Sequence, residues 1–408
     1  MKILIIADSL KVGVGSDKFA AILGSELHAQ GYHVSYLTLM DGNPKYNFKG
    51  DYYTLNEDDI YGNDIKRGFN LLRNSSKVKK ICKDLDIDIM ISAGDPANFY
   101  AILSRWLYGN TVRIIISQHM NPEIFMDSPL KYRLIRSFYP HADEIVCVSK
   151  EIEKIFNESY GFKNTSTIYN MMDIEKNLKL SEEKLPDQYK DFFQGNVKEN
   201  RGENPYFNFI NLGRLDRQKG QWFLIRGFRR VVDKYKNARL FILGEGDLRE
   251  KLEGLINDLG LNKNVFLLGE QENVFPFFKN SDCFVFSSLW EGLPLVLIES
   301  LSMDLPIIST DCKTGPREIL CPELSLNKAV DYPYFGECAI LTQNFTNELI
   351  FKPLMEVPLN QSENMLSNLM IKIIEEPELR DKYSNGLKRA EDFSYKKIIK
   401  DWEKILDK

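Results

Sequence analysis

Histidine is scarce in this chain, four in 408 residues, and none of the four falls at a short metal-like spacing. The usual zinc arrangements are therefore missing. Cysteine is equally unhelpful to a metal or a disulfide framework: residues 82, 147, 283, 312, 321 and 338 contain no C-x-x-C pair. Cys147 and Cys283 lie in strand-like runs, "EIVCVS" and "CFVFSS", where a reduced thiol behaves as a small apolar side chain. A reducing cytoplasm fits that usage. No hydrophobic run approaches the ~20 residues that span a bilayer, so any membrane contact is expected to be peripheral. The opening "MKILIIADS" is broken by Asp8 and reads as a first β-strand, not a signal peptide. Excess positive charge is also lacking. A net charge of −5 argues against general nucleic-acid binding but says nothing about local basic patches.

What is present is the composition of a soluble globular protein, 43% hydrophobic and 27% charged. At this length one hydrophobic core is seldom enough, so two domains are expected. Over the first 172 residues, β-branched runs at 3–7, 33–39, 87–93, 112–117 and 144–149 alternate with amphipathic stretches at 17–29, 66–83, 97–108 and 130–138. That is the pattern of a doubly wound α/β domain. Residues 173–205 are polar and poor in β-branched residues, which reads as a linker carrying at most a short helix. Strand and helix then alternate again over 206–385, with "FNFINLG", "ARLFILGEG", "VFLLGE", "CFVFSS" and "LPIIST" as strands. The stretch 327–363 departs from the alternation and reads as an insertion. Residues 386–408 close on an amphipathic helix, "FSYKKIIKDWEKIL", expected to pack back on the first domain with Trp402 as its anchor. Ligands of such open sheets bind beyond the carboxyl ends of the strands.

Two constellations sit at strand exits of the second domain. In "SLWEGLPLVLIES", Glu291 and Glu299 bracket the apolar run Leu293 to Ile298, a costly environment for unpaired carboxylates. Gly292 permits a tight turn and Pro294 suits the start of a helix, so both glutamates fall near a helix N-terminus, where free N–H groups favour anions. A glutamate held there by the helix dipole alone is the plainer account of one such residue. The second constellation is "NLGRLDRQKG", 211–220. Arg214 and Lys219 leave one loop together, and a guanidinium beside an ammonium matches a diphosphate. A solvated surface pair is the plainer account here.

Taken together, these elements resemble the retaining glycosyltransferases of family four. The resemblance rests on the Glu-x7-Glu spacing of Glu291 and Glu299, on the G-R-x-x-x-x-K-G element from Gly213 to Gly220, and on the surrounding sequence over about 207–320. It implies a GT-B fold, two doubly wound Rossmann-like domains facing across a cleft. Residue by residue, it implies that Glu299 holds the ribose of a nucleotide and that Glu291 binds a hydroxyl of the transferred sugar. The backbone of Gly292, Leu293 and Pro294 would line the pyrophosphate, Arg214 and Lys219 would neutralise the departing diphosphate, and Gln271 would meet the base through its backbone. His119 of "ISQHMNP" would face the donor sugar. Gly15 fits the second of two family glycines near the phosphates, while Val14 stands where the first would be.

The function so implied is retaining transfer from a nucleotide-sugar, expected to be UDP-linked, to a saccharide or lipid-linked acceptor in cell-surface glycan synthesis. No cofactor and no metal are expected, since Arg and Lys handle the leaving-group charge. A phosphorylase or soluble-acceptor transferase of the same fold, and a non-catalytic nucleotide-sugar-binding protein, are the alternatives. "DLDID" at 84–88 imitates a D-x-D metal site but precedes a strand, and "GEGDLR" at 244–249 has Arg249 where a dinucleotide fingerprint needs glycine. Residues 66–83 hold seven Lys or Arg and no acidic residue. With 128–140 they are expected to hold the first domain against an anionic inner membrane face.

Overall fold

Apolar runs buried on both faces build two parallel sheets. The computed structural model describes residues 1–10, 15–40, 44, 46, 48–57, 64–126, 128–193 and 206–408, the side chains of 64–67 and 125 excepted. The chain divides into two compact units. One holds Met1–Met172 with Phe393–Lys408, and the other holds Asp173–Asp392.

In the first unit, β1 (Lys2–Ala7), β2 (His33–Met40), β3 (Asp51–Glu57), β4 (Ile89–Ala93), β5 (Arg113–Gln118), β6 (Glu144–Cys147) and β7 (Thr165–Thr167) form one sheet, ordered β3-β2-β1-β4-β5-β6-β7. Every pairing in it is parallel. Ile3, Leu4, Ile5 and Ile6 are all fully buried, as helices on both faces of a parallel sheet require. The helix Gly15–Ala29 turns Phe19, Ala20, Leu23 and Leu27 inward at helical spacing.

The C-terminal helix Tyr395–Leu406 belongs to this unit. Its Ile398, Ile399 and Trp402 join the same core as β1 and β4. Arg113 donates to the carbonyls of Ile405 and Leu406, at 2.7 and 3.0 Å, which satisfies the open carbonyl end of that helix.

The second unit repeats the plan. β8 (Phe207–Leu212), β9 (Ala238–Leu243), β10 (Val265–Gly269), β11 (Cys283–Phe286), β12 (Ile307–Thr310), β13 (Tyr334–Phe335) and β14 (Ile340–Thr342) are ordered β10-β9-β8-β11-β12-β14-β13. Only the β13–β14 pair at the edge is antiparallel. The stretch 327–363 is thus more than an insertion, because β14 extends the parallel sheet beside β12. At three residues it is too short to show periodicity.

Where composition suggested a linker, Ile174–Ser181 is helical, with the Asp173 side chain accepting from the Lys176 amide as its N-cap. Phe193 stacks on Phe241 with centroids 4.1 Å apart. These residues pack on the second unit. Residues 194–205 lie outside the described residues.

A buried ion pair braces this unit. Arg226 Nε lies 2.7 Å from Glu363 Oε1 with both side chains fully buried, and Arg226 also donates to the carbonyls of Val357 and Pro358 at 2.8 and 3.2 Å. Six described cysteines are free thiols, and among the described residues no helix is long and apolar enough to cross a membrane.

Candidate functional site

Strand order reverses between β8 and β11 in the second sheet, so the loops leaving these two strands diverge and open a crevice at their carboxyl ends. Those loops are 213–220 and 287–294, the two stretches that the sequence singles out. They are stitched together by backbone. The Leu289 amide donates to the Gln218 carbonyl at 2.8 Å, and the Ser287 hydroxyl donates to the Lys219 carbonyl at 2.8 Å. Gly220 makes the approach feasible: its φ is +62°, and a Cβ there would sit 2.4 Å from the Ser287 carbonyl oxygen.

This seam brings Lys219 and Glu291 together. Lys219 Nζ is 2.7 Å from Glu291 Oε1, with side chains 17% and 8% exposed. Gln218 Nε2 donates to Glu291 Oε2 at 3.0 Å and to the Trp290 carbonyl at 2.9 Å. Its Oε1 accepts from Arg214 at 3.2 Å. Arg214 is the open end of the chain of contacts, 59% exposed and 2.9 Å from Asp216. Asp216 also caps the short 3-10 turn Arg217–Lys219 by accepting from the Lys219 amide. The sequence reading omitted Gln218. Its position one residue before Lys219, on the same turn, was the available signal.

Beyond Glu291 the chain turns through Gly292, Leu293 and Pro294 into the helix Leu295–Ser302, with Pro294 as its N-cap residue. The helix therefore begins one residue later than the sequence suggested. The Leu297 amide donates to the Pro294 carbonyl at 3.1 Å, while the amides of Leu295 and Val296 precede the first helical bond. Glu299 lies in this helix, buried at 8% exposure.

A third loop, after β12, supports the turn. Thr314 donates to the Glu291 carbonyl. Gly315, at φ +92°, lies so close that a Cβ would meet Pro294 Cδ at 2.4 Å and the Gly292 carbonyl oxygen at 3.0 Å. Arg317 anchors this third loop through Asp311 at 2.6 Å. Burial, with the Glu291 carboxylate adding to it, pushes the Cys312 thiol well up, so Cys312 is an inert neighbour and not a nucleophile.

Gln271 is tied into its own unit. Its side chain donates to the Leu268 carbonyl at 2.7 Å and to the Tyr189 hydroxyl at 3.2 Å.

The first sheet reverses between β1 and β4, and its exits carry a different chemistry. Gly15 opens the helix Gly15–Ala29 with no atom within 4 Å of where its Cβ would be. Val14, which stands where the first family glycine would be, lies outside the described residues. Ser9 donates through its hydroxyl to Asp17, and the Ala97 amide donates to Asp8 at 3.3 Å.

His119, just past β5, pairs through Nε2 with the Ser117 hydroxyl at 3.0 Å and lies against Phe19 with ring centroids 4.6 Å apart. Its Nδ1 is buried with no hydrogen-bond partner. Burial pushes its pKa down to about 3, so the ring is neutral near pH 7. Asp95 next to β4 accepts from the Tyr139 hydroxyl at 3.1 Å, and burial pushes its carboxyl up to about 6. Among the described residues no three His, Cys, Asp or Glu side chains converge as a metal-binding group.

Comparison with known proteins agrees with this architecture. The family model for glycosyl transferases group 1 matches residues 194–330, and that for glycosyltransferase family 4 matches residues 15–176. An uncharacterised glycosyltransferase of Methanocaldococcus jannaschii is 46% identical over 350 residues, covering 83% of this chain and 84% of its own. The N-acetylgalactosamine-N,N'-diacetylbacillosaminyl-diphospho-undecaprenol 4-alpha-N-acetylgalactosaminyltransferase of Campylobacter jejuni is 31% identical over 339 residues, covering 81% of this chain and 79% of its own. Among solved structures, Anabaena Alr3699/HepE in complex with UDP has TM-score 0.72 at 17% identity, with both chains covered in full. The sucrose-phosphate synthase of Thermosynechococcus elongatus has TM-score 0.76 at 16% identity, covering 100% of this chain and 98% of that one. These two share the GT-B fold, and the two sequence relatives settle the family: this chain belongs to the group 1 glycosyltransferases.

Proposed function

We propose that this glycosyltransferase moves a sugar from a UDP-linked donor, with retention at the anomeric carbon, to a lipid-linked saccharide in cell-surface glycan synthesis. The observation that carries the donor half is the linked set Arg214, Gln218, Glu291 and Lys219 at the switch point of the second sheet. Lys219 has three ammonium protons and gives one to Glu291, which leaves two donors for a diphosphate. Arg214, largely exposed, supplies a planar fork for the same anion. Glu299 receives the ribose, Glu291 a hydroxyl of the sugar, and the turn Gly292–Pro294 the pyrophosphate, with the backbone of Gln271 at the base.

In retention by a single face, the acceptor oxygen bonds to the anomeric carbon on the side from which the diphosphate departs. The departing phosphate oxygen takes the acceptor's proton, so no side-chain base is required. Arg214 and Lys219 stabilise the charge growing on the leaving group. We read the reaction as metal-independent on the same ground. His119, neutral at physiological pH, offers the donor sugar a hydrogen-bonding ring without adding charge. The acceptor class is supported by the Campylobacter relative, which carries a diphospho-undecaprenol acceptor in its name, and the nucleotide by the UDP held in the Anabaena structure.

A thermal-shift panel of uridine, adenosine and guanosine diphosphate sugars tests the donor. At 100 times its dissociation constant the right one adds about 2.7 kcal/mol of stability, and UDP sugars are expected to lead. Stabilisation by a different base, or by none, overturns the assignment. Turnover is expected to persist in EDTA, and the product anomer read by NMR to match the donor's. Loss on chelation restored by manganese, or inversion, refutes the mechanism.

A further inference from the structure

Among the described residues, four that are not glycine hold a positive φ: Asn56, Asp86, Asp304 and Thr314. Asn and Asp tolerate the left-handed region, because their short polar side chains bond locally. Thr314, at φ +68°, is the β-branched one, and a branched Cβ crowds the backbone there. Such strain persists only where the surroundings over-determine the conformation, and it gathers at functional sites. Thr314 is 3% exposed, so neighbouring groups hold it and not solvent.

The loop from β12 to the helix Pro316–Leu320 is clamped at both ends. At its start the Thr310 hydroxyl donates to the Ser288 carbonyl at 2.7 Å, and the Asp311 amide donates to the Thr342 carbonyl at 2.9 Å. At its end Arg317 Nε and Nη2 donate to Asp311 Oδ2 at 3.1 and 2.6 Å. The Tyr332 hydroxyl donates to the same oxygen at 2.7 Å. Arg317 Nη1 reaches onward to the Leu326 and Lys328 carbonyls, at 3.2 and 3.1 Å. Between the clamps Gly315 lies against the turn, where a Cβ would come within 3.2 Å of Leu293 Cα. Thr314, beside it, donates its hydroxyl to the Glu291 carbonyl.

That hydroxyl holds a peptide plane with two ends. The peptide between Glu291 and Gly292 is trans and planar, so its oxygen and its N–H point in opposite directions. Fixing the Glu291 oxygen therefore fixes where the Gly292 N–H points. It also limits rotation of the backbone from which the Glu291 side chain reaches Lys219. A glycine at 314 would take this φ at lower cost and would leave the Glu291 carbonyl without its donor. As a bond of the fold alone, the hydroxyl satisfies one buried carbonyl. That account leaves the strain unexplained, since the loop is already fixed at both ends.

We propose that Thr314 is a positioning residue for the donor diphosphate: its hydroxyl orients the peptide between Glu291 and Gly292 so that the Gly292 N–H faces the pyrophosphate. Thr314 itself touches no substrate. The proposal rests on the donor reading, in which the turn Gly292–Pro294 takes the pyrophosphate. It adds the group that aims the turn.

The experiment titrates the full chain with UDP by calorimetry and with uridine by NMR. Thr314→Val keeps the branched shape and removes the hydroxyl. It is expected to weaken UDP on the order of tenfold, the scale of one buried carbonyl stripped of its donor, and to leave uridine unchanged. Thr314→Gly removes the hydroxyl and the strain together and is expected to lose as much, so the result does not hang on one variant folding. Thr314→Ser keeps the hydroxyl and is expected to bind UDP as wild type does. Val231, fully buried in the helix Gln221–Lys234, provides the stability control: Val231→Ala is expected to lower the melting temperature with UDP affinity intact.

Unchanged UDP affinity in both Thr314→Val and Thr314→Gly overturns the proposal while the donor reading stands. So does a loss shared by Val231→Ala, which would be an effect of stability, or one that serine fails to restore. A loss as large for uridine as for UDP also overturns it, because the contact would then act away from the pyrophosphate. A wild type that binds UDP no better than uridine overturns the donor reading itself, and the role of Thr314 with it.

Discussion

The two units share a topology and differ in what they place at the switch point. Both sheets run outward from a central strand, β1 or β8, and reverse at its neighbour, β4 or β11. At the second switch point stand Lys219, Arg214 and Glu291, joined by an ion pair and a glutamine. At the first stand hydroxyls, buried carboxyls and a histidine held neutral by burial. One crevice is set up to bind fixed charge and the other to exchange hydrogen bonds. The fold supplies the location, and the loop residues decide the chemistry.

The sharpest way to break the contrast is to destabilise one unit alone. Arg226→Met removes one partner of the ion pair buried within the second unit and strands Glu363 without its cation. Breaking such a pair from one side costs about 3–5 kcal/mol. Calorimetry is expected to show the transition of the second unit moving down while that of the first stays. A uniform shift of one cooperative transition would show that the units do not melt separately.

Next in size is the diphosphate clamp. Arg214→Ala and Lys219→Ala are each expected to reduce turnover on the order of 100-fold, the usual cost of one preorganised donor to a growing charge. The melting temperature is expected to stay close to wild type for exposed Arg214 and to fall for Lys219, whose loss leaves the buried Glu291 without its cation. Gln218→Leu, which cuts the bridge between Arg214 and Glu291, is expected to lose less, on the order of tenfold, at the scale of one or two hydrogen bonds to charged groups. Steady-state rates with saturating donor decide the order. A Gln218 effect larger than that of Lys219 would reassign the centre of the site.

The glutamates sharpen the contrast within the second unit. Glu299→Ala is expected to weaken the bare nucleotide on the order of tenfold, one hydrogen-bonded charge to ribose. Glu291→Ala is expected to spare the nucleotide and weaken only the nucleotide sugar. Calorimetric titration of both ligands separates them, and equal losses for the nucleotide alone would contradict the division of labour. Since Glu291 also holds Lys219, Glu291→Gln is the control that removes the charge and keeps one acceptor oxygen of the two that take Lys219 and Gln218.

The unequal legibility of the two units has a physical origin. In the second, the functional groups lie within short stretches, 213–220 and 291–299, because a diphosphate is gripped by charges leaving adjacent strand ends. The spacing of Arg214, Lys219, Glu291 and Glu299 is therefore visible in one dimension. In the first, the contacts join residues far apart in the chain, Asp95 with Tyr139 and Asp8 with the Ala97 amide, and of the polar side chains at this end only His119 was read in advance. The same rule governs the strands. Buried runs such as Ile3–Ile6 were evident, whereas β3, which alternates polar residues at the edge, and β7, β13 and β14, each two or three residues long, offered too little pattern to read. Ion pairs such as Lys219–Glu291, separated by 72 positions, were beyond the sequence altogether.

The smallest expected effect is a pH dependence confined to the first unit, in which two buried groups oppose one another. Burial lowers His119 from 6.5 to about 3. The unfolded chain therefore takes up this proton first, and stability present above 6.5 is lost as pH falls toward 3. Asp95 has the opposite sign. Burial raises it from 3.8 to about 6, so the folded state binds the proton first, and its contribution is full below 3.8 and lost as pH rises through about 6. Between about pH 4 and 6 the two slopes offset one another, and the wild-type unit should show a shallow profile there. His119→Gln removes one slope, and stability should then rise as pH drops through this window. Asp95→Asn removes the other, and the decline should then run without interruption from pH 6.5. Melting each variant across the window, with the transition of the second unit as internal reference, distinguishes them. If both variants keep the wild-type profile, neither group titrates as its burial dictates, and the hydrogen-bonded character assigned to the first switch point loses its support.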